Sequence, residues 1–210
     1  LILVFLVDSV LARILPNGYT NISATFRIYS VHFKASQEDT MTRRLECTDL
    51  RTNINLAPAN TNFLIGGDTN FYGATEGGYI RLTESQPDND GRGKDPLTMP
   101  GTWNNNASYA PYHSQCPCLS GCLAGQSGGG MDDRFDLFLN SYSMADGEGV
   151  DLLTSTYGAY GNDGLHYNDN INGGGFNNAV GITIANALRF ASDHLPVLVS
   201  VQLAAKVQAA

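Results

Sequence analysis

The stretch Asn62-Phe63-Leu64-Ile65-Gly66-Gly67-Asp68-Thr69-Asn70 joins a short apolar run to two glycines, followed by a carboxylate and an amide. The apolar run predicts a buried β-strand that stops at Gly66-Gly67. Because glycine lets the backbone turn sharply and lets a ligand approach closely, we expect Asp68 and Asn70 to point into one cleft. There the carboxylate could hold a cation or orient a water, and the amide could donate a hydrogen bond to a phosphate oxygen. Taken alone, the stretch favours a simpler interpretation, an Asx turn.

Three other segments place a polar side chain at the edge of a strand-like run. They are Ser30-Val31-His32-Phe33-Lys34, Arg134-Phe135-Asp136-Leu137-Phe138-Leu139 and Ser192-Asp193-His194-Leu195-Pro196. Asp136 lies in an apolar run, where a carboxylate is costly unless it is paired, and a histidine partner would account for it. Asp193 and His194 are adjacent, so on a strand they would point to opposite faces and contact different groups. His32 and His194 suit acid–base chemistry near neutral pH, although a buried structural histidine is the alternative for each.

In their order along the chain, these segments resemble the endonuclease/exonuclease/phosphatase superfamily, the fold of pancreatic deoxyribonuclease, apurinic endonucleases and sphingomyelinases. Gly-Asp-x-Asn followed by Ser-Asp-His-x-Pro is the more specific part of a resemblance that covers about residues 24–203. Residues 134–141 match the superfamily pattern Arg-x-Asp-x-Phe-Leu-x-Ser, which favours Asp136 over Asp132 and Asp133. The resemblance implies an α/β (α+β) class: a two-sheet β-sandwich flanked by helices, a four-layer fold incomplete at its N-terminus.

The resemblance also implies a role for each polar residue. His194 would be the general base that activates the attacking water, and Asp136 would orient it. Asn70 would hold the scissile phosphate, and His32 would stabilise the phosphate or assist the leaving group. Asp68 would act near the nucleophile or the metal.

A divalent metal is the cofactor that the resemblance implies, with Asp193 and Asp68 as its ligands. Mg²⁺ suits oxygen ligands and phosphates, and Mn²⁺ or Ca²⁺ could accompany or replace it. Phosphoryl transfer consists of positioning and charge neutralisation, which such a site would supply. We therefore expect a metal-dependent phosphodiesterase whose substrate is nucleic acid or another phosphodiester.

The N-terminal part of the chain departs from the superfamily pattern. The superfamily has an Asn on an early strand and a metal-binding Glu on a later one, and nothing upstream of His32 matches them. Residues 1–23 contain one acid, Asp8, and no Glu, whereas Glu38 and Glu46 follow His32 and fall in the wrong order. These departures indicate either a fragment or an incomplete site with weak or no activity.

Length and charge limit the possible classes. The 210 residues suffice for one domain with a hydrophobic core, and we expect a single domain over 1–210, with 1–23 poorly matched and 204–210 a tail. A net charge of −8 excludes a global basic field for nucleic acid, but not a nuclease, because a bound cation supplies local positive charge. The apolar run at residues 1–7 is too short to span a bilayer, so we expect a buried strand and no transmembrane segment. We expect a monomer.

Cysteine usage bears on location. Cys47 is isolated, whereas Cys116, Cys118 and Cys122 cluster in a Gly/Ser-rich stretch with His113 just upstream. The spacing does not match the usual zinc patterns, so a disulfide within the loop, or reduced thiols, is favoured over zinc. Few Lys and Arg, many Asn and Gly, and the cysteine cluster together indicate an exported, extracellular protein.

Two irregular stretches could bind ligands. Residues 101–114 include Trp103, Tyr109, Tyr112 and His113, which could stack a base or a sugar, or pack among themselves. The Asp/Asn-rich stretch 162–172 could hold Ca²⁺, although it lacks the spacing of an EF-hand loop.

Periodicity and chain breakers predict the secondary structure. The expected strands are two short ones around Asp8-Ser9 within 1–15, others at 24–34, 62–65 and 134–142, and a final strand opened by His194, in which alternate residues from Val197 to Leu203 are apolar. The expected helices are one capped by Ser36 that runs to Asn55, a brief one at 75–82, and one at 179–190 with Val180, Ile184 and Leu188 on one face. Loops are expected at 85–131 and 157–178.

The preferred function is an extracellular nuclease that hydrolyses phosphodiester bonds. A phospholipid or sphingomyelin phosphodiesterase of the same superfamily is one alternative, and a non-catalytic secreted module that retains the scaffold is another. The enzymatic interpretation requires His194 to lie near Asp68 in the folded chain.

Overall fold

Residues 26–32, Phe-Arg-Ile-Tyr-Ser-Val-His, are mostly β-branched or aromatic, and they form a strand inside the larger of two sheets. The computed structural model describes residues 9–203. The strands in this range are β1 Ser9–Ile14, β2 Phe26–His32, β3 Phe63–Asp68, β4 Gly93–Lys94, β5 Asp136–Ser141, β6 Val150–Ala159 and β7 Val197–Leu203. The α-helices are α1 Thr40–Asn55, α2 Gly77–Thr83 and α3 Gly181–Ala191.

Five strands form one sheet in the order β1-β2-β3-β5-β4, and β6 pairs with β7 in a second sheet. Strands β2 and β3 are parallel, and α1 provides the crossover that a parallel pair requires. The remaining pairs are antiparallel. The predicted α/β class, with two sheets and flanking helices, is confirmed.

The core lies on both faces of the five-stranded sheet. On one face, buried residues of α1 and α2 pack against the sheet; they include Cys47, Leu50, Ile54 and Leu82, which meet Tyr29, Val31, Phe63, Ile65, Leu137 and Leu139. On the other face, Leu64 packs against the β6–β7 sheet through Val150 and Leu152. Helices α1 and α2, the larger sheet and the smaller sheet therefore lie in succession, and α3 packs near the smaller sheet, in a cluster with Ala159 of β6 and Val197 of β7.

Strand β3 continues through Gly66 and Gly67 to Asp68, so the prediction that it stops at the glycines is wrong. A Cβ at Gly66 would lie 2.5 Å from the ring of Phe138 on the neighbouring strand. Gly67 has φ +138°, and a Cβ there would collide with the carbonyl oxygen of Val31. The two glycines permit close strand packing rather than a turn.

The predicted helix at 36–55 is present, but α1 begins at Thr40 after a 3₁₀ turn, Gln37–Asp39. Ser36 has φ 88° and makes no side-chain cap, so its predicted capping role is wrong. Of the strands predicted within 1–15, Ser9–Ile14 forms β1, and the rest of the prediction lies outside the described residues, as do the 1–7 strand and the 204–210 tail. The single-domain prediction stays a prediction.

The C-terminal third differs from the prediction in three places. Strand β6 was not predicted, and its last residues occupy the start of the expected 157–178 loop. Of the predicted apolar face, Val180 and Leu188 pack against the core cluster that contains Ala185 of α3, whereas Ile184 is 41% exposed. Strand β7 begins at Val197 rather than at His194. None of the helices between residues 9 and 203 combines the length and apolar character of a membrane span.

The irregular segment 85–131 is held to the strands by a buried ion pair. Arg134 donates from Nη1 to Asp95 Oδ2 at 2.8 Å and from Nη2 to Asp95 Oδ1 at 3.0 Å, with both side chains nearly inaccessible. Tyr79 donates its hydroxyl to the same carboxylate, and the guanidinium lies 4.7 Å from the ring centroid of Trp103. A planar guanidinium suits this forked geometry, which a lysine could not reproduce.

Replacing Arg134 with Met should lower the free energy of unfolding by about 3–5 kcal/mol, because Asp95 would then be a buried carboxylate without its cation. Urea unfolding followed by far-ultraviolet circular dichroism measures the change. Arg81→Met is the matched control, since the Arg81–Glu84 pair is partly exposed and should contribute about 1 kcal/mol or less. Equal effects of the two substitutions would contradict the importance of burial.

Candidate active site

Backbone register places three of the predicted residues in one row. His32 on β2 is the partner of Asp68 on β3, and Asp68 is the partner of Asp136 on β5. Side chains alternate along a strand, so these residues share the face of Leu64, which is turned toward the smaller sheet. The row therefore lies at the edge of the space between the two sheets.

His194 reaches this row from the smaller sheet's side. A backbone bridge pairs it with Gln115, and the N–H of Leu195 donates to the carbonyl of Ser114 at 2.8 Å. The imidazole Nδ1 lies 2.7 Å from Asp136 Oδ2, and Nε2 lies 3.8 Å from Asp68 Oδ2. His194 is thus near Asp68, as the enzymatic interpretation requires.

Asp136 is held from two directions. The Ser114 hydroxyl donates to Asp136 Oδ2 at 2.7 Å, and the backbone N–H of Asp136 donates to the same hydroxyl oxygen at 3.2 Å. The carboxylate in turn accepts from His194 Nδ1–H, which fixes the ring's tautomer and leaves Nε2 with its lone pair. Burial lowers the pKa of His194, but the hydrogen bond and charge of Asp136 outweigh it, and the net shift is upward.

Asp68 lies between two imidazoles. Its Oδ2 is 3.4 Å from His32 Nε2, and its Oδ1 accepts the backbone N–H of Asn70 at 3.0 Å. Burial raises the pKa of Asp68, and the charge of Asp136 adds to that effect, while His194 opposes it. The Asx turn is therefore present, and the same carboxylate still faces the cleft.

Asn70 is buried and adopts φ 50°, and its Nδ2 donates to the carbonyl of Phe33 at 3.0 Å. An amide nitrogen has two N–H groups, so one remains to donate to a ligand. Asp193 accepts the backbone N–H of Ser127 at Oδ2, 3.0 Å away. Burial raises the pKa of Asp193, but its hydrogen bonds with Ser127 outweigh this and lower it overall.

The site opens into one cavity of about 570 Å³. The predicted site residues around it are His32, Asp68, Asn70, Asp136, Asp193 and His194. Tyr72, Gln115 and Ser127 line it as well. No lysine or arginine is among the described residues of the lining, so the cavity's fixed charges are carboxylates and its available cations are imidazoliums.

No protein-family model and no curated protein matches the amino-acid sequence. Solved structures do match. D. rerio TDP2 complexed with single-strand DNA product is similar with a TM-score of 0.53 and 14% identity, over 92% of this chain and 61% of that one. Humanized D. rerio TDP2 is similar with a TM-score of 0.51 and 13% identity, over 92% of this chain and 59% of that one. Beta toxin from Staphylococcus aureus is similar with a TM-score of 0.47 and 14% identity, over 92% of this chain and 56% of that one.

The chain has the deoxyribonuclease-I-like fold of the endonuclease/exonuclease/phosphatase superfamily. The resemblance seen in the sequence is thereby confirmed for the fold. The chain spans about three fifths of the length of the TDP2 chains, 61% and 59%.

On this deoxyribonuclease-I-like fold, the donors around the cavity do not by themselves fit a divalent cation. Within residues 9–203 no three histidine, cysteine or acidic side chains form a group that could hold a metal. Asp136 Oδ2 is engaged by Ser114 and His194, which leaves Asp68 and Asp193 as the carboxylates that face the cavity. Two carboxylates are a partial set that substrate phosphates and water would have to complete.

Sequence reasoning missed Ser114 and Gln115, which contact Asp136 and His194. They lie in a stretch without periodicity, and the only signal was their position next to His113. His113 itself is buried, with Nδ1 3.3 Å from the Met131 carbonyl oxygen and Nε2 3.1 Å from that of Trp103. Trp103 is also buried and donates to Met99, so these two side chains pack inside the protein rather than stack a ligand.

The cysteine cluster forms a loop disulfide. Cys118 and Cys122 are bonded, and Cys116 is free and buried, so the zinc arrangement is not formed. In the Asp/Asn-rich stretch 162–172, Asp163 accepts backbone N–H groups from Leu165 and Asn178, which stabilises the loop itself.

Asp133 stabilises the segment that presents Ser114 and Gln115, because its carbonyl accepts both of their backbone N–H groups. Burial raises the pKa of its carboxyl to about 7, against which the hydrogen bond from Asn104 acts. A carboxyl whose pKa is raised on folding reduces stability as pH rises from its unfolded value, 3.8, through 7.

Asp133→Asn should therefore be more stable than the unsubstituted protein at pH 8, with an advantage that grows between pH 4 and 7 and is constant above. Urea unfolding across this pH range measures it. In Asp132→Asn the advantage should level off nearer pH 6, because burial raises the pKa of Asp132 only to about 6. A pH-independent difference would contradict the assignment.

Proposed function

We propose that this protein is a phosphodiesterase in which His194 is the general base. The contact between Asp136 and His194 Nδ1, 2.7 Å long, supports this most directly, because it leaves Nε2 as the basic atom beside the cavity. A histidine oriented by a carboxylate is the arrangement by which proteins activate hydroxyl groups and water.

In the proposed reaction, Nε2 takes a proton from a water as its oxygen attacks phosphorus, and the bond to the leaving oxygen breaks. The free amide N–H of Asn70 donates to a phosphate oxygen. His32 is exposed at the far side of Asp68, 3.4 Å from its carboxylate, where an imidazolium could neutralise charge or protonate the leaving oxygen. His32 ends β2, Asn70 is held by its bond to the Phe33 carbonyl, and His194 is held by its backbone bridge to Gln115, so these groups are positioned before the substrate arrives.

We assign Asp68 and Asp193 as the carboxylates toward which a divalent cation, Mg²⁺ first, would bind. Bound there, the cation would neutralise phosphate charge, which a lining without lysine or arginine among the described residues does not do. These two carboxylates do not complete the ligand set of a divalent cation, so the test measures whether activity depends on the metal.

Nucleic acid is the substrate that we propose, acted on outside the cytoplasm. The D. rerio TDP2 structure of the same fold holds a single-strand DNA product, which supports nucleic acid. The Cys118–Cys122 disulfide supports an oxidising location, since such bonds persist in exported proteins.

A non-catalytic secreted module is the second candidate. It is favoured by the absence of a three-ligand metal group within residues 9–203.

Hydrolysis of bis-p-nitrophenyl phosphate and single-stranded DNA, with Mg²⁺, Mn²⁺ or EDTA, tests the proposal. We expect metal-dependent cleavage, reduced about 10²- to 10⁴-fold in His194→Ala by loss of the general base. Asp136→Asn should be similarly impaired, because its amide would favour the wrong tautomer of His194.

Asp90→Asn is the matched control, since Asp90 is exposed and outside the cavity. A folded protein that cleaves neither substrate under any condition, or whose cleavage survives His194→Ala, would overturn the phosphodiesterase proposal. A sphingomyelin substrate in the same assay distinguishes the lipid alternative.

A further inference from the structure

The side-chain amide of Gln115 is hydrogen-bonded to Nε2 of His194, the nitrogen that acts as the base in the proposed reaction. Gln115 Nε2 lies 2.7 Å from His194 Nε2, and the Gln115 side chain lines the cavity. The contact is built into the backbone, because Gln115 pairs with His194 in a bridge and its carbonyl accepts the N–H groups of Asp132 and Asp133.

The direction of this hydrogen bond follows from the other side of the ring. Asp136 accepts from Nδ1–H, so Nε2 of the neutral ring has a lone pair and no hydrogen. The amide therefore donates to Nε2. Asp68 Oδ2, at 3.8 Å, is beyond hydrogen-bond reach, and Gln115 is the hydrogen-bond partner of Nε2 among the described residues.

A single lone pair accepts one strong hydrogen bond. An attacking water that gives its proton to Nε2 must occupy the place that the Gln115 amide holds. The side chain of Gln115 can turn away about its own rotatable bonds, without any change in the backbone bridge to His194.

We infer that Gln115 is a positioning residue that occupies His194 Nε2 in the resting protein and releases it when substrate and water enter. This inference rests on the proposed function for its catalytic meaning. The bond keeps the imidazole plane aligned with Asp136 until substrate binds, and substrate binding breaks it.

Labelling with diethyl pyrocarbonate measures the availability of Nε2 without any substrate, because the unprotonated ring nitrogen attacks the reagent's carbonyl carbon. In Gln115→Met, which keeps the bulk and removes the hydrogen bond, labelling of His194 should be about 2- to 10-fold faster, as expected for the loss of one such bond. Peptide mass spectrometry assigns the label, and the exposed His32 in the same protein should react at an unchanged rate.

Steady-state kinetics test the consequence for catalysis. Gln115→Met should raise kcat/KM by about 2- to 10-fold, since the substrate no longer has to break the bond. Gln115→Asn, whose shorter amide cannot reach Nε2, should behave in the same way. Gln202→Met, exposed on β7 and outside the cavity, is the matched control and should change neither measurement.

Unchanged labelling of His194 in both Gln115 variants would overturn the inference, and so would a fall in kcat/KM, which would place Gln115 among the groups that bind substrate. If the folded protein hydrolyses no phosphodiester, the proposed function fails. The catalytic role that we infer for the Gln115–His194 contact then fails as well. The labelling rates still decide whether Gln115 shields His194, so the two failures are distinguishable.

Discussion

The buried ion pair between Arg134 and Asp95 is the contact on which the arrangement of the site depends. Its guanidinium lies 4.7 Å from the ring centroid of Trp103 and 5.7 Å from that of Tyr157 on β6. One cation thus joins the irregular segment, the start of β5 and the smaller sheet. Arg134 directly precedes β5, whose first residue is Asp136, the carboxylate that contacts His194.

Because the site is assembled from backbone pairing, its geometry does not depend on flexible side chains alone. His32, Asp68 and Asp136 occupy adjacent register positions of three strands. The Ser114-Gln115 segment then joins that row to His194 through hydrogen bonds from both backbone and side chains. Such a rigid frame keeps reacting groups at fixed separations, which is the main requirement of phosphoryl transfer.

The negative charge of the cavity lining is unfavourable for binding an anionic substrate. Asp68, Asp136 and Asp193 line a cavity whose described residues include no lysine or arginine, in a chain of net charge −8. An anionic phosphodiester would be repelled unless imidazolium groups or a bound cation compensated. Within the protein, the imidazole of His32 beside Asp68 would supply part of that compensation when protonated, since the proposed base His194 is neutral.

The sequence by itself determined most of the strands and helices, although not β6, and six of the residues that line the cavity, which are His32, Asp68, Asn70, Asp136, Asp193 and His194. Apolar strand runs depend on local composition and spacing, which do not require knowledge of distant contacts. The order His, Asp-x-Asn, Asp, Asp-His indicated the site through its resemblance to the superfamily. What local pattern could not decide was settled by partners far along the chain. Gly66 and Gly67 looked like a strand end, but the ring of Phe138 and the backbone of Val31 require them inside β3. Trp103 looked available for stacking, but Arg134 and Met99 bury it. Ser114 and Gln115 have no local signature, and only the tertiary structure, by folding an aperiodic loop between β5 and His194, placed them against Asp136 and the imidazole.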